Sequence, residues 1–224
     1  MEITSNRLTA AAGLSAAAAG AIFIGVQINH PPADVAHLLT TEMLVRESAK
    51  VLMCVLALVG FTGMFLRCRD RLGALGLAGF SLLTVGFLAL FAEQCIVAYV
   101  LPTVAHFNPR YVQDVLDAAM GQSPSGDIGH MQELLLVAGI GYPVGGLLFG
   151  LALFRARVLA RWACLLLACG TVSVLALAAL PESFDRPFAV PTGVALIGLG
   201  VSLWRGQRRS PETVDAPATA WAAA

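Results

Sequence analysis

Six stretches of mostly apolar residues, each close to the roughly 20 needed to cross a bilayer, divide this chain: 8–28, 48–66, 72–101, 134–154, 158–180 and 188–204. No soluble core of this size needs so many long apolar runs. With 58% hydrophobic and 12% charged residues, against about 25% charged in a soluble domain, the chain falls in the membrane class. The expectation is an all-α fold: a polytopic bundle of six transmembrane helices spanning residues 1–209, with a disordered cytoplasmic tail over 210–224, where "SPETVDAPATAWAAA" lacks bulky residues. The lipid bilayer is the first expected partner. A formal net charge of zero argues against nucleic acid.

Arginine placement orients the bundle. "RCRDR" (67–71), "RARVLAR" (155–161), "RGQRR" (205–209) and Arg7 all lie at one end if there are six spans. They hold ten of the fourteen basic residues. By the positive-inside rule that end, with both termini, faces the cytoplasm. The expected location is the inner membrane. The first span, with Arg7 before it and "SAAAAGA" within it, is longer than the ~7–15-residue apolar region of a signal peptide. It reads as a retained anchor.

Three segments then fall outside: 29–47, 102–133 and 181–187. In the longest, "NPRYVQDVLDAAMG" (108–121) reads as a short amphipathic helix. Asn108 caps it, Pro109 suits its first turn and Gly121 ends it. Tyr111, Val112, Val115, Leu116, Ala119 and Met120 form its apolar stripe, and Gln113, Asp114 and Asp117 face away. Such a helix lies along the membrane interface or covers the bundle.

All four histidines (His30, His37, His106 and His130) and most of the acidic residues fall at this outer end. Glu93 interrupts the third span. Counted from Leu72 at 1.5 Å per residue, it lies roughly 32 Å along the helix, near the outer edge of a ~30 Å hydrocarbon layer. It is expected to look into an outward-opening polar crevice. Lys50, just inside the second span, is the natural counter-ion for Glu93 or Glu47. His130 and Glu133, three apart, share a helix face. They reverse the Glu-x-x-His order of bundle metal sites. The candidate ligand-binding set is His30, Glu47, Lys50, Glu93, His130 and Glu133. Glu93, His130 and Glu133 are the metal candidates, of a type that suits zinc, iron or manganese. No particular cofactor is implied. The five cysteines form no CxxC and read as small buried hydrophobes. Pro143, inside the fourth span, is expected to kink it.

"VQINHPPADV" after the first span, "GYPVGGLLFGLALFRARVLARWA" across the fourth and fifth, and the Pro-Glu/Arg-Pro linker before the last resemble multi-spanning membrane proteins of high-GC bacteria that constitute a domain of unknown function. The likeness runs roughly from residue 7 to residue 205. It implies an integral inner-membrane protein and transfers no catalytic residue.

No enzymatic motif stands out. The preferred reading is an accessory, regulatory or structural membrane protein with a small-molecule ligand, a protein partner or a second copy of itself as further partners. The alternatives are a small-molecule or proton-coupled transporter, and a metal-dependent or acid–base enzyme acting on a lipid or hydrophobic substrate at the outer leaflet.

Overall fold

The computed structural model describes residues 4–177 and 185–209, with side chains over 4–173 and 189–207. The expected tail over 210–224, the end of the fifth span and most of the 181–187 segment lie outside the described residues. Among the described residues the structure is 84% helix, with no strand. Its order is α1 (Ser5–Gly25), α2 (Val35–Leu38), α3 (Thr41–Cys95), a π turn (Ile96–Val100), α4 (Leu101–Ala105), α5 (Pro109–Ala119), α6 (Met131–Ala156), α7 (Arg161–Leu177) and α8 (Asp185–Arg209). Among the described residues four helical stretches are long and apolar enough to cross a membrane: Ser5–Gly25, Thr41–Tyr99, Met131–Ala156 and Ala189–Gln207. Arg161–Ser173 is a shorter apolar helix.

The second of these is not one rod. A straight helix of 55 residues would run about 82 Å. Gly73 breaks it, with φ 59° and ψ −165°, a backbone state open to glycine and costly for any residue with a Cβ. Beyond Gly73 the chain turns back on itself. Phe65 stacks on Phe80 with ring centroids 4.4 Å apart, and Phe61 meets Phe87 edge-on at 5.1 Å. The turn therefore falls at Gly73 rather than across the arginines 67–71, which remain helical. The first arm also begins earlier than the second expected span, because Thr40 accepts the Met43 N–H as an N-cap.

Small residues bring the helices together. Gly13 meets the backbone at Gly200, where an added Cβ would lie 2.7 Å from a carbonyl oxygen. Gly20 and Gly193 make the equivalent antiparallel contact two turns higher. Ala16 packs on Gly60, and Gly86 on Gly141. In lipid, where apolar surface gains little by moving from solvent to protein, close packing supplies the attraction between helices. Phe61, Phe87 and Phe149 fill the centre with edge-on contacts. α6 runs unbroken through Pro143, which is buried beside Tyr142.

A second apolar cluster caps the end of the bundle opposite arginines 67–71, the end expected to face outward. Leu38, Met43, Val97, Leu101, Val112, Val115, Leu116, Ile128 and Met131 pack together there. The expected cap of α5 is in place: Asn108 accepts the Tyr111 N–H, and Gly121 has φ 78°. Its stripe differs from expectation at two points. Ala119 and Met120 are exposed, whereas Asp114 is buried, because its carboxylate accepts both the backbone N–H and the hydroxyl of Ser125.

Exposed apolar side chains mark the lipid-facing belt. On the first arm of α3 they run from Leu44 to Leu66, roughly 33 Å of rise. On the second arm and its π turn they run from Leu77 to Val100, roughly 34 Å. Both match a hydrocarbon layer of ~30 Å. Arg67 follows directly on Leu66.

Candidate functional site

Ionisable groups from three segments converge just below the outer cap. The first arm of α3 contributes Glu47 and Lys50, three apart and so on one face. Lys50 Nζ donates to Glu47 Oε1 at 2.6 Å. The linker between α1 and α2 contributes His30, whose Nε2 lies 3.8 Å from the same carboxylate oxygen. The second arm contributes Glu93, within electrostatic range of both Lys50 and Glu47. The side chains of His30 and Glu47 are 3% and 4% exposed, and that of Lys50 is 19% exposed.

The layer has apolar material above and below. On the first arm it lies between Met43 of the cap cluster and Met53 of the bundle core. On the second arm it lies between Phe91, packed on the core, and Ile96 and Val97 of the cap. Measured from the inner edge of the belt, Lys50 and Glu93 both stand roughly 24 Å up their arms. Glu93 is therefore deeper inside the belt than a count from Leu72 suggests. Residues 67–73 lie beyond the belt and do not contribute to its depth.

A buried pair of opposite charges holds together only with good geometry and further polar partners. Arg46, next to Glu47, provides the scaffold. Its guanidinium donates to the carbonyls of Val26 at 3.1 Å, Ile28 at 2.9 Å and Asn29 at 3.2 Å. These are carbonyls that the end of α1 leaves open. Glu42 pairs with the same guanidinium at 2.8 Å. Arg46 thus fastens the linker carrying His30 to the arm carrying Glu47. Pairing a mid-chain arginine with the end of a helix some twenty residues earlier required the fold, and no spacing rule pointed to it.

The ring of His30 is oriented locally. Its Nδ1 is 2.8 Å from the carbonyl oxygen of Pro31. A carbonyl only accepts, so Nδ1 carries the hydrogen. Nε2 is buried with no hydrogen-bond partner.

Of the six expected residues, the structure gathers His30, Glu47, Lys50 and Glu93. His130 and Glu133 do approach each other, at 3.5 Å, but both are exposed on the surface. Glu133 sits in the first turn of α6, and His130 occupies the N-cap position without a capping hydrogen bond; both side chains face water instead of the layer. Among the described residues no three His, Cys, Asp or Glu side chains form a metal-holding group, and the Glu93, His130, Glu133 set is not assembled.

Around the layer, the outer segments are tied by polar contacts that periodicity did not reveal. Tyr99 donates to Ser48 at 3.1 Å, joining the two arms of α3 near the belt's edge. Gln113 of α5 accepts the Val35 N–H and donates to Asp117 at 2.8 Å. The backbone N–H and ring of His37 hold the Asp34 carboxyl below the usual carboxylate range. Ser125 does the same for Asp114. Deeper in the bundle, Tyr142 of α6 donates to Thr192 of α8 at 3.1 Å, and Thr171 back-bonds to the Leu167 carbonyl.

Compared with known proteins, the chain matches no family model, no curated protein and no solved structure.

Proposed function

We propose that this chain is an integral protein of the bacterial inner membrane that acts as an accessory or regulatory component through the polar layer at its outer end. It crosses the bilayer six times, with both termini in the cytoplasm and α5 lying over the outer face. Two arms of α3 that return on each other support the count, together with the apolar length of α1, α6 and α8 and the shorter apolar stretch of α7. The arginines gathered beyond the inner edge of the belt support the orientation. The likeness to multi-spanning proteins of high-GC bacteria points the same way.

One observation carries the functional reading. Ionisable side chains from the two arms of α3 and a linker are kept inside the lipid-facing belt, between two apolar clusters. Ionisable groups at such a depth are costly and mark functional positions by default. The test exploits a known property of buried ion pairs: replacing both partners by apolar residues of similar size leaves stability nearly unchanged or improves it. The double variant Glu47→Met, Lys50→Met is expected to fold and insert, and to fail to complement a deletion strain. Full complementation by a well-folded double variant would reduce the layer to a structural element and overturn the reading.

A transport reading has an observation of its own. Buried hydroxyls of Thr84, Tyr142, Thr171 and Thr192 extend polarity from the layer toward mid-bundle. Proteoliposomes loaded with a pH-sensitive dye decide it: proton flux above that of empty vesicles supports transport, and its absence removes it.

A further inference from the structure

The ring of His30 poses a local problem with one simple solution. Because Nδ1 donates to Pro31, the neutral ring presents a bare lone pair at Nε2. That lone pair faces Glu47 Oε1 at 3.8 Å, acceptor against acceptor, and Nε2 is buried without a partner. A buried polar atom left unpaired costs free energy. A hydrogen on Nε2 turns the facing acceptors into a donor and an acceptor. With Nδ1 already carrying its hydrogen, that state is the imidazolium.

We propose that Nε2 of His30 is a proton-binding site, filled from the aqueous side of the outer end, which locks the linker between α1 and α2 onto α3. The inference rests on the polar layer being a functional site and names the proton as its ligand.

Three ionisable side chains surround the ring. Glu47 and Lys50 face His30 from the first arm of α3, and Glu93 from the second arm lies within range of both. Glu47 already pairs with Lys50 at 2.6 Å, and a proton on His30 gives the same carboxylate a second donor. Of the remaining charges nearby, Arg46 is held by Glu42 and by the linker carbonyls. Asp34 and His37 pair with each other along the linker, and Asp117 of α5 is held by Gln113. Burial of the ring leaves no approach for a ligand with heavy atoms, whereas a proton needs only a brief opening of the linker.

Binding has a mechanical consequence. Arg46 already fastens the linker at Val26, Ile28 and Asn29. The protonated ring adds a charge-assisted contact one residue further on. The closed linker holds the proton and the open linker releases it, so closure strengthens as pH falls.

The experiment uses the full chain, with histidine labelled in its ring nitrogens, in lipid nanodiscs. At about pH 8 the His30 ring is expected to show a protonated Nδ1 and a bare Nε2. At about pH 5.5, within the range where histidine changes charge, both nitrogens carry hydrogen. Over the same interval, hydrogen-exchange protection of residues 26–34, corrected for intrinsic rates, rises roughly tenfold, the scale of one charge-assisted contact. The rise is lost in His30→Gln and in Glu47→Gln, and is retained in His37→Gln. A bare Nε2 at both pH values overturns the proposal, as does an undiminished rise in His30→Gln. If neither variant folds, the ring-nitrogen spectrum of the unmodified chain decides alone. Complementation by the Glu47→Met, Lys50→Met chain tests the functional reading separately, so the proton site can fail while the layer stands.

Discussion

The two ends of the bundle treat charge in opposite ways. At the arginine end, Arg67, Arg69 and Arg71 project from the last helical turns of the first arm of α3, before Gly73, and are exposed. The ion pair there, Arg69 with Asp70 at 3.6 Å, is open to solvent. At the outer end, Glu47 and Lys50 form a short pair inside the belt, Arg46 is bound on both sides, and even the acid on α5, Asp114, is buried. Water stabilises the first set wherever the helices happen to end. The second set depends on partners that must be brought to it. The inner charges therefore carry topology, and the outer charges carry structure and, in the reading proposed here, function.

Single substitutions sharpen that contrast. The largest effect is expected for Glu47→Ala, which leaves Lys50 and His30 without their shared carboxylate. Removing one partner of a buried pair costs about 3–5 kcal/mol, seen as a large fall in melting temperature in detergent. Gly73→Ala attacks the other end through the backbone. Its φ of 59° with ψ of −165° is essentially reserved for glycine and costs a residue with a Cβ about 1–3 kcal/mol, and since no atom lies within 4 Å of the added Cβ, no steric clash should enlarge the loss. A drop as large as that of Glu47→Ala would show that the turn, and not the layer, is the more sensitive element.

Acid probes the cap without mutation. The folded carboxyl of Asp114 is held below its usual range by Ser125. Its contribution is thus fully present above the ordinary aspartate value of about 3.9 and is lost as pH falls through the lower folded value. Hydrogen exchange at Ser125 and along α5 should quicken below about pH 4, and Asp114→Asn should remove that acid dependence. Unchanged exchange in acid would mean that Ser125 does not hold the carboxylate. The smallest effect is expected for Arg69→Gln, within about 0.5 kcal/mol by thermal melting, because its ion pair is solvated. A loss above about 2 kcal/mol would erase the distinction between the two ends.

Much of the scaffold was legible in the linear chain. Apolar runs of membrane length, arginines on alternate connections and the capping residues of α5 are local signals. Each acts over a few residues; four helical stretches of membrane length and the cap of α5 are found among the described residues, and the arginine placement supports the orientation proposed above. The orientation of α5 was half legible. Its buried stripe held at Val112, Val115 and Leu116, but Asp114 turned inward, because the partner that satisfies it is Ser125, eleven residues on in a loop with no periodicity. The position of the reversal in α3 was blurred for a related reason. The arginines 67–71 look like a connection by composition, yet they remain helical, and the backbone turns at the next glycine.

The candidate site divides along the same line. Glu47 and Lys50 meet through helical spacing, and Glu93 stood out as a carboxylate in an apolar run, so these three were available from the chain itself. His130 and Glu133 were equally visible as an i,i+3 pair, but nothing in their spacing says which way the first turn of α6 faces, and it faces water. That His30 enters the layer, that Arg46 reaches back to the end of α1, and that Nε2 is left without a partner all depend on contacts between segments far apart in the chain. The sequence by itself determined a helical membrane protein with polar groups gathered at the end opposite the arginines, because burial of apolar length and solvation of arginine are properties of each segment alone. Which of the polar groups share one buried space was decided only by the tertiary structure, because ion pairs and desolvation act over a few ångströms in space, whatever the separation along the chain.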